Sequence, residues 1–525
     1  MKLKIASFPT DDLRHAFSPE KDIAMMKQKT LPDPYGALAA REAKTDNLTW
    51  AFLSNLSIPL CVDLDGTLTR TDLLLESFLV LIKKNPLYVF MCIVWLFHGK
   101  AYLKDQIAER TAIDVSILPY NATLIDYLRT ERSKGRMLYL CTATNQRFAE
   151  QIAAHFGFFS GVLASCASHN LSGSKKAQTL ADKFGERGFD YCGNELVDVP
   201  VWQRARQAIV VGKKHIAKAA MRVNKTIIFF EEKRPLVRLA LKEMRVYQWV
   251  KNFLIFVPLL ASHRFLDTSQ IVMAAVAFLS FSLCASSVYL LNDMLDLDAD
   301  RRHARKCKRP LASGQLPLSA GIFLIGALLV GAAGLAAMLP KTFMLVLAGY
   351  FALTVIYSFK LKRVILIDVF ALASLYTIRI VAGAAAGSIH LSFWLILFSV
   401  LIFLSLAMVK RYAELDAVLR EGNSAAAGRG YIAQDIEILR SLGTAAGYLA
   451  VLVLALYLNS PEVNTLYRHP KALWVMFVLL LYWISRMWMF AFRGQMNDDP
   501  IVFAIKDRMS FAVIAMCVAS VILAV

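Results

Sequence analysis

Acidic residues are scarce in this 525-residue sequence, with 40 Asp+Glu against 59 Lys+Arg and a formal net charge of +19. Charge of either sign is also thin, 19% of residues, whereas 57% are hydrophobic. A soluble globule has roughly 45–50% apolar residues, so a wholly soluble enzyme and a disordered chain are both excluded. The eight cysteines (Cys61, Cys92, Cys141, Cys166, Cys192, Cys284, Cys307 and Cys517) show no CxxC pair and no metal-type spacing. That excludes a disulfide-built secreted module and predicts thiols in a reducing compartment. A basic-then-apolar leader with a small-residue cleavage site is also lacking, so the soluble part is expected in the cytoplasm.

What is present is unevenly arranged. Residues 1–250 read as a soluble domain with a basic tail, and residues 250–525 as a series of long apolar runs. A basic, membrane-bound chain points to anionic partners: membrane lipid, phosphorylated lipids and pyrophosphates. Nucleic acid is not expected, because the basic residues sit beside the membrane segments.

Residues 1–50 are a polar lead-in broken by Pro32 and Pro34. Residues 51–212 alternate short apolar strands (Ile58–Val62, Met137–Cys141, Gly161–Ala164, Phe189–Cys192, Ala208–Val211) with helical stretches. That alternation predicts an α/β domain on a parallel sheet. A helical cap over about 73–125 interrupts the first unit, and its Leu87–Phe97 run is too short to span a bilayer, so it reads as a buried cap helix, with a membrane-touching helix as the alternative. Residues 213–249 read as a basic amphipathic linker lying on an anionic bilayer face.

Residues 250–525 read as an all-α membrane domain of nine spans, at about 250–263, 269–291, 318–338, 341–358, 365–387, 391–409, 441–458, 471–490 and 509–525. Lys and Arg concentrate in the loops after the second, fourth, sixth and eighth spans. By the positive-inside rule these loops, the N-terminal domain and the functional sites share the cytoplasmic face of the inner membrane.

The first strand runs into Asp63-Leu64-Asp65-Gly66-Thr67. Carboxylates at i and i+2 past a buried strand project into one cleft and suit a nucleophile (Asp63) and a general acid/base (Asp65) sharing Mg²⁺. This DxDGT loop resembles that of the haloacid dehalogenase (HAD) phosphatases, which have a Rossmann-like sheet with a helical cap. The resemblance implies that Thr142 binds phosphate and that Lys176 neutralises nucleophile and phosphate. It also implies that Asp63, Asp65, Asn194 and Asp198 hold the metal, with Asn194 standing where the family usually has an aspartate. Asp65 sets the loop apart from ion-pumping ATPases, which carry DKTGT.

In the second half, Asn292-Asp293-Met294-Leu295-Asp296-Leu297-Asp298-Ala299-Asp300 ends a span and meets the basic run Arg301 to Arg309. On a helix Asp293, Asp296 and Asp300 share one face, where stacked carboxylates repel unless a cation such as Mg²⁺ sits among them. NDxxDxxxD in a polytopic chain resembles the UbiA superfamily of membrane transferases. Gln248-Trp249-Val250-Lys251-Asn252, the RRH…KRP run, Tyr357-Ser358-Phe359-Lys360-Leu361-Lys362 and Asp498-Asp499-Pro500 resemble decaprenyl-phosphate phosphoribosyltransferases. Asp368 has Leu372 four residues on, so the plain second DxxxD of the aromatic prenyltransferases is missing.

The resemblance implies transfer of 5-phosphoribose from phosphoribosyl pyrophosphate to a polyprenyl phosphate. Asn292, Lys251, Arg301, Arg302, Lys362, Lys410 and Arg411 would contact substrate, while Arg379, inside the fifth span, reads equally as a structural ion pair. The HAD half would then remove the product's 5-phosphate. The alternatives are a prenyltransferase acting on an aromatic acceptor and an inactive lipid-binding scaffold; the sequence leaves a homo-oligomer open.

Overall fold

A computed structural model describes residues 57–525 apart from 168, 233, 421–429 and 497–499. The expected lead-in, Lys233, Arg429 and Asp498-Asp499 thus lie outside the described residues. The chain divides into two compact units: one runs to Leu239 and takes in Asp293–Gly321, and the other is Ala240–Asn292 with Ile322–Val525.

The first unit is built on strands β1 (Leu60–Val62), β2 (Leu138–Asn145), β3 (Gly161–Ser165), β4 (Asp190–Gly193), β5 (Gln207–Gly212) and β6 (Ile227–Glu231). Their order is β3-β2-β1-β4-β5-β6, and all neighbours are parallel. Successive side chains along a strand point to opposite faces, so near-continuous apolar strands build a core on each side of the sheet. Leu60, Val62, Leu138, Leu140, Ile209 and Val211 fill one core. Cys61, Cys141, Tyr191, Ala208 and Val210 fill the other. Cys61, Cys141 and Cys192, each just ahead of a motif, are fully buried packing residues.

Around the sheet run α1 (Leu73–Lys84), α2 (Tyr88–Phe97), α3 (Lys100–Arg110), α4 (Ala122–Ser133), α5 (Gln146–Phe156), α6 (Ser174–Phe184), α7 (Val199–Arg204) and α8 (Lys214–Val223). Two expectations change. Residues 213–231, expected as linker, form α8 and the sixth strand, because Ile227–Phe230 pair with Ala208–Val211 of β5. The Leu87–Phe97 run is helical but largely exposed: Cys92 and Trp95 of α2 are buried against Leu81 and Ile107, with Tyr88 partly buried beside them. A helix apolar on every side needs cover all round, and α1 and α3 supply it on one side.

The second unit is helical. Seven helices among the described residues are long and apolar enough to cross a membrane: Thr268–Leu295, Leu318–Ala336, Lys341–Phe359, Ile367–Gly387, Phe393–Arg420, Ala433–Leu458 and Pro470–Phe492. The expected first span is a 3₁₀ stretch, Val246–Phe256, followed by the short helix Val257–Ala261, and the expected last is Arg508–Ala524. Both fall short of the roughly 20 residues a straight span needs. Apolar side chains such as Phe323, Leu345 and Phe393 face outward, as they must where the solvent is hydrocarbon. Inside, small residues let helices approach closely: a Cβ on Gly443 would meet the Trp488 ring at 2.3 Å, and one on Gly383 would lie 1.9 Å from the Ile255 carbonyl oxygen.

That second contact is with backbone and cannot be relieved by a rotamer change. Gly383→Ala should therefore destabilise the protein in detergent by about 1–3 kcal/mol, as overpacked cores do. Gly349→Ala, whose Cβ would meet nothing within 4 Å, should leave the thermal midpoint unchanged.

Candidate functional site

β1 and β4 are neighbours from which the chain leaves toward opposite edges of the sheet. Crevices at such a reversal, beyond the strands' carboxyl ends, are where open α/β sheets bind ligands. Asp63 follows β1 and Asn194 follows β4, and both line a cavity of about 200 Å³ with Asp65, Lys104, Thr144 and Lys176. Leu64–Leu68 forms a single tight turn in which Gly66 has φ +72°. A Cβ there would also lie 2.2 Å from the Asn194 amide nitrogen, so the loop tolerates only glycine.

Lys176, from the first turn of α6, donates to Asp63 Oδ1 at 2.8 Å and to the Tyr191 hydroxyl at 2.8 Å. Tyr191 donates to Asp198 Oδ1 at 2.9 Å, and Asp198 Oδ2 accepts the Asn194 and Glu195 amides at 3.1 Å each. Asp198 thus shapes the loop that carries Asn194. Thr67 Oγ1 donates to Asn194 Oδ1 at 2.9 Å, and the Leu73 amide at the start of α1 donates to Asp65 Oδ1 at 3.0 Å.

Thr142 departs from expectation. β2 runs on to Asn145, so Thr142 is buried within the strand, its hydroxyl accepting the Thr144 amide at 3.0 Å. Thr144 reaches the cavity instead and donates to Asp65 Oδ2. Lys104 was not singled out from sequence: it comes from α3, donates to the Ala143 carbonyl at 2.7 Å, and brings a second cation to the cavity. Its only sequence signal is a lysine in a helix whose position the pattern leaves open.

Burial lifts the Asp63 carboxyl to about 6, with Lys176 pulling the other way. Burial, with repulsion from Asp72, lifts Asp65 to about 7 against the Thr144 hydrogen bond. Burial works against the Lys176 ammonium, but Asp63 and Asp198 outweigh it and hold its pKa above the usual value. Burial thus raises both carboxyls, and Lys176 opposes the rise at Asp63 alone, which favours Asp63 as the nucleophile and Asp65 as the acid/base.

Among the described residues no three His, Cys, Asp or Glu side chains are grouped to hold a metal. Asp63, Asp65 and the Asn194 amide nevertheless converge as hard oxygen donors in one cavity, and two buried carboxylates there invite a divalent cation. The set fits Mg²⁺ shared with a substrate phosphate.

The acidic stretch of the second half is rearranged relative to expectation. The helix Thr268–Leu295 stops, Asp296 sits at φ −106°, ψ 20°, and a short helix Leu297–Arg302 begins. The three aspartates therefore do not share one helical face. Asp293 and Asp300 converge on Arg309, whose Nη1 lies 2.8 Å and 2.5 Å from their oxygens. Asp296 turns instead to Lys83 at 3.0 Å. Burial raises the Asp300 carboxyl, with Arg309 opposing. Asn292, one residue before Asp293 but in the other unit, has a buried side-chain amide oxygen with no hydrogen-bond partner among the described residues.

Arg301, expected to contact substrate, is instead buried in a two-pronged pair with Glu76 of α1, Nη2 to Oε2 at 3.1 Å, and its Nε donates to the Ala312 carbonyl at 3.1 Å. Arg302 pairs with Asp114 at 2.7 Å on the surface.

In the helical unit, Arg411 is likewise engaged: Asp368 and Glu414 neutralise it and Tyr357 accepts from Nη2 at 2.8 Å. Asp368, fully buried, also accepts from the Tyr431 hydroxyl. It is the centre of a network that its missing DxxxD partner had hidden. Lys251 is buried over the Tyr376 ring at 5.6 Å, Lys362 stands on the turn Leu361–Arg363, and Lys410 is half-buried in the helix Phe393–Arg420. Arg379 has no carboxylate partner among the described residues; it donates to Asn252 Oδ1 at 2.8 Å and lies among the rings of Phe281, Tyr350 and Tyr376. The expected structural ion pair is thus a hydrogen-bonded, ring-stacked cation.

Residues 253–515 match the UbiA prenyltransferase family. The chain is 36% identical over 473 residues, 89% of its length and 91% of the relative's, to uncharacterized protein y4nM of Sinorhizobium fredii. It is 36% identical over 273 residues, 51% of this chain and 88% of the other, to nodulation protein NoeC of Azorhizobium caulinodans. It is also 38% identical over 186 residues to decaprenyl-phosphate phosphoribosyltransferase of Mycolicibacterium smegmatis, covering 35% of this chain and 58% of that one.

Burial holds the folded-state pKa values of Asp63 and Asp65 above the ordinary carboxylate range. Their contribution to stability is therefore complete below about pH 4 and is lost as pH rises through about 6 to 7. In EDTA the unfolding midpoint of the α/β domain should fall across that window, and Asp65→Asn should flatten the fall. Separately, Glu76→Ala leaves the buried Arg301 guanidinium without its carboxylate and should cost about 3–5 kcal/mol in denaturant titrations.

Proposed function

Because the chain belongs to the UbiA prenyltransferase family, we propose that its helical domain is a membrane transferase moving 5-phosphoribose from phosphoribosyl pyrophosphate to a polyprenyl phosphate. The α/β domain would then remove the 5-phosphate from the product. Both reactions would run on the cytoplasmic face, where the Lys/Arg-rich loops belong. The choice of phosphoribosyl donor is supported by the 38% identity to the decaprenyl-phosphate phosphoribosyltransferase. The observation that carries the second step is the Asp63–Lys176 pair beside a separately held Asp65.

In the transferase, Asp293 and Asp300 are the acids gathered to face a cationic group, Arg309 already balancing their repulsion. The attacking lipid phosphate is ionised in advance and needs no base. In the phosphatase, Asp63 attacks phosphorus while Lys176 keeps it ionised and oriented. Asp65 gives its proton to the departing ribose oxygen, then takes one from the water that releases phosphate. Mg²⁺, held by Asp63, Asp65 and Asn194 in one site and by Asp293 and Asp300 in the other, would supply charge neutralisation to the phosphoryl and pyrophosphate oxygens. A phosphatase on the same chain meets the phosphorylated lipid at raised effective concentration.

The test supplies purified protein with phosphoribosyl pyrophosphate and polyprenyl phosphate and weighs the lipid product. Wild type should yield the lipid-linked ribose, Asp63→Asn the lipid-linked ribose 5-phosphate, and Asp293→Ala neither. A dephosphorylated product from Asp63→Asn would refute the division of labour. Transfer of the isoprenoid to an aromatic acid instead would favour a prenyltransferase.

A further inference from the structure

We propose that α2 (Tyr88–Phe97) lies in the membrane interface and holds the mouth of the α/β cleft at the bilayer surface. The helix exposes Leu87 by 64%, Phe90 by 67%, Ile93 by 53% and Phe97 by 87%. An uncovered apolar surface of this kind marks an interaction site. At ten residues, about 15 Å, it is too short to span, and a helix that cannot cross but is apolar nearly all round belongs at the headgroup boundary.

Three observations select lipid as its occupant. First, Lys83, at the end of α1 and five residues before α2, pairs with Asp296 at 3.0 Å. Asp296 directly follows the membrane-spanning helix Thr268–Leu295 in the chain, so the segment that α1 holds is itself continuous with a span. Second, this unit's Asp293–Gly321 segment runs between that helix and the span Leu318–Ala336, which tethers the unit to the bilayer at both ends. Third, no acidic residue occurs from Leu87 to Gly99, while Lys84 and Lys100 bracket the helix, a pattern matched to anionic headgroups.

The position of α2 bears on the cleft through its connection to α3. The chain turns at Gly99, with φ +107°, directly into α3, and α3 carries Lys104 into the cavity that holds Asp65. A helix seated in the interface would thus keep this wall of the cleft where a phosphate on a lipid arrives. The lipid contact stands on geometry alone, whereas the presentation of substrate rests on the phosphatase reading above.

The experiment places the photoreactive residue p-benzoylphenylalanine at Phe97 in the full chain, reconstituted in phosphatidylethanolamine–phosphatidylglycerol vesicles. Irradiation should add a phospholipid mass to the peptide containing α2, and none when the same group replaces exposed Glu186. Cross-links to a second copy of the chain, or no adduct, would overturn the proposal. In parallel, Phe90→Ser, Ile93→Ser and Phe97→Ser are combined. Hydrolysis of polyprenyl-phosphoryl-5-phosphoribose in vesicles should fall about tenfold or more as local concentration is lost, with p-nitrophenyl phosphate turnover unchanged. An equal loss on both substrates would refute the presenting role. Wild type inactive on both would sink the phosphatase reading, and the lipid adduct would still decide the contact of α2.

Discussion

Most buried acids of the candidate sites have a cation within reach among the described residues, and the arrangement of the functional residues follows from that requirement. Taking a carboxylate out of water costs several kcal/mol even after relaxation. Lys176 answers Asp63, Arg301 answers Glu76, Arg309 answers Asp293 and Asp300, and Arg411 answers Asp368. Asp65 is the exception. It has Thr144 and a backbone amide but no ion pair among the described residues, and its carboxyl rises to about 7. A carboxyl left short of compensation holds its proton to higher pH, and such a group can work as an acid.

The same requirement explains why basic residues beside a phosphate-type motif are not all substrate ligands. Arg301 and Arg411 stand where a run of positive charge invites an anionic substrate, yet both spend their charge on acids of the protein itself. Arg309 binds the two aspartates of the acidic motif directly, and that pairing keeps them together. Asn194 fits the pattern from the other side. An uncharged amide in the loop after β4 adds an oxygen to the cleft without adding another buried charge to Asp63, Asp65 and Asp198.

A large share of the architecture is legible in the chain alone, since apolar periodicity and length carry it. The five anticipated strands are all present, the DxDGT loop sits at the end of β1, and seven long apolar runs are the spanning helices. The errors cluster where tertiary contacts override local pattern. The sixth strand lay in a stretch rich in lysine, because pairing with β5 outweighs the composition around it. Thr144 replaced Thr142 because β2 is longer than its apolar run. The acidic helix breaks at Asp296, which pairs with Lys83 while Asp293 and Asp300 pair with Arg309.

The amino-acid sequence by itself determined where the paired-carboxylate motifs fall and which long segments are apolar enough to cross a membrane, because carboxylate spacing and continuous hydrophobicity are local properties. Only the tertiary structure decided which cation each carboxylate receives, which threonine reaches the cleft, and that α2 is bare rather than covered. Those outcomes depend on residues distant in the chain, such as Glu76 and Arg301 or Lys83 and Asp296, whose meeting no periodicity encodes.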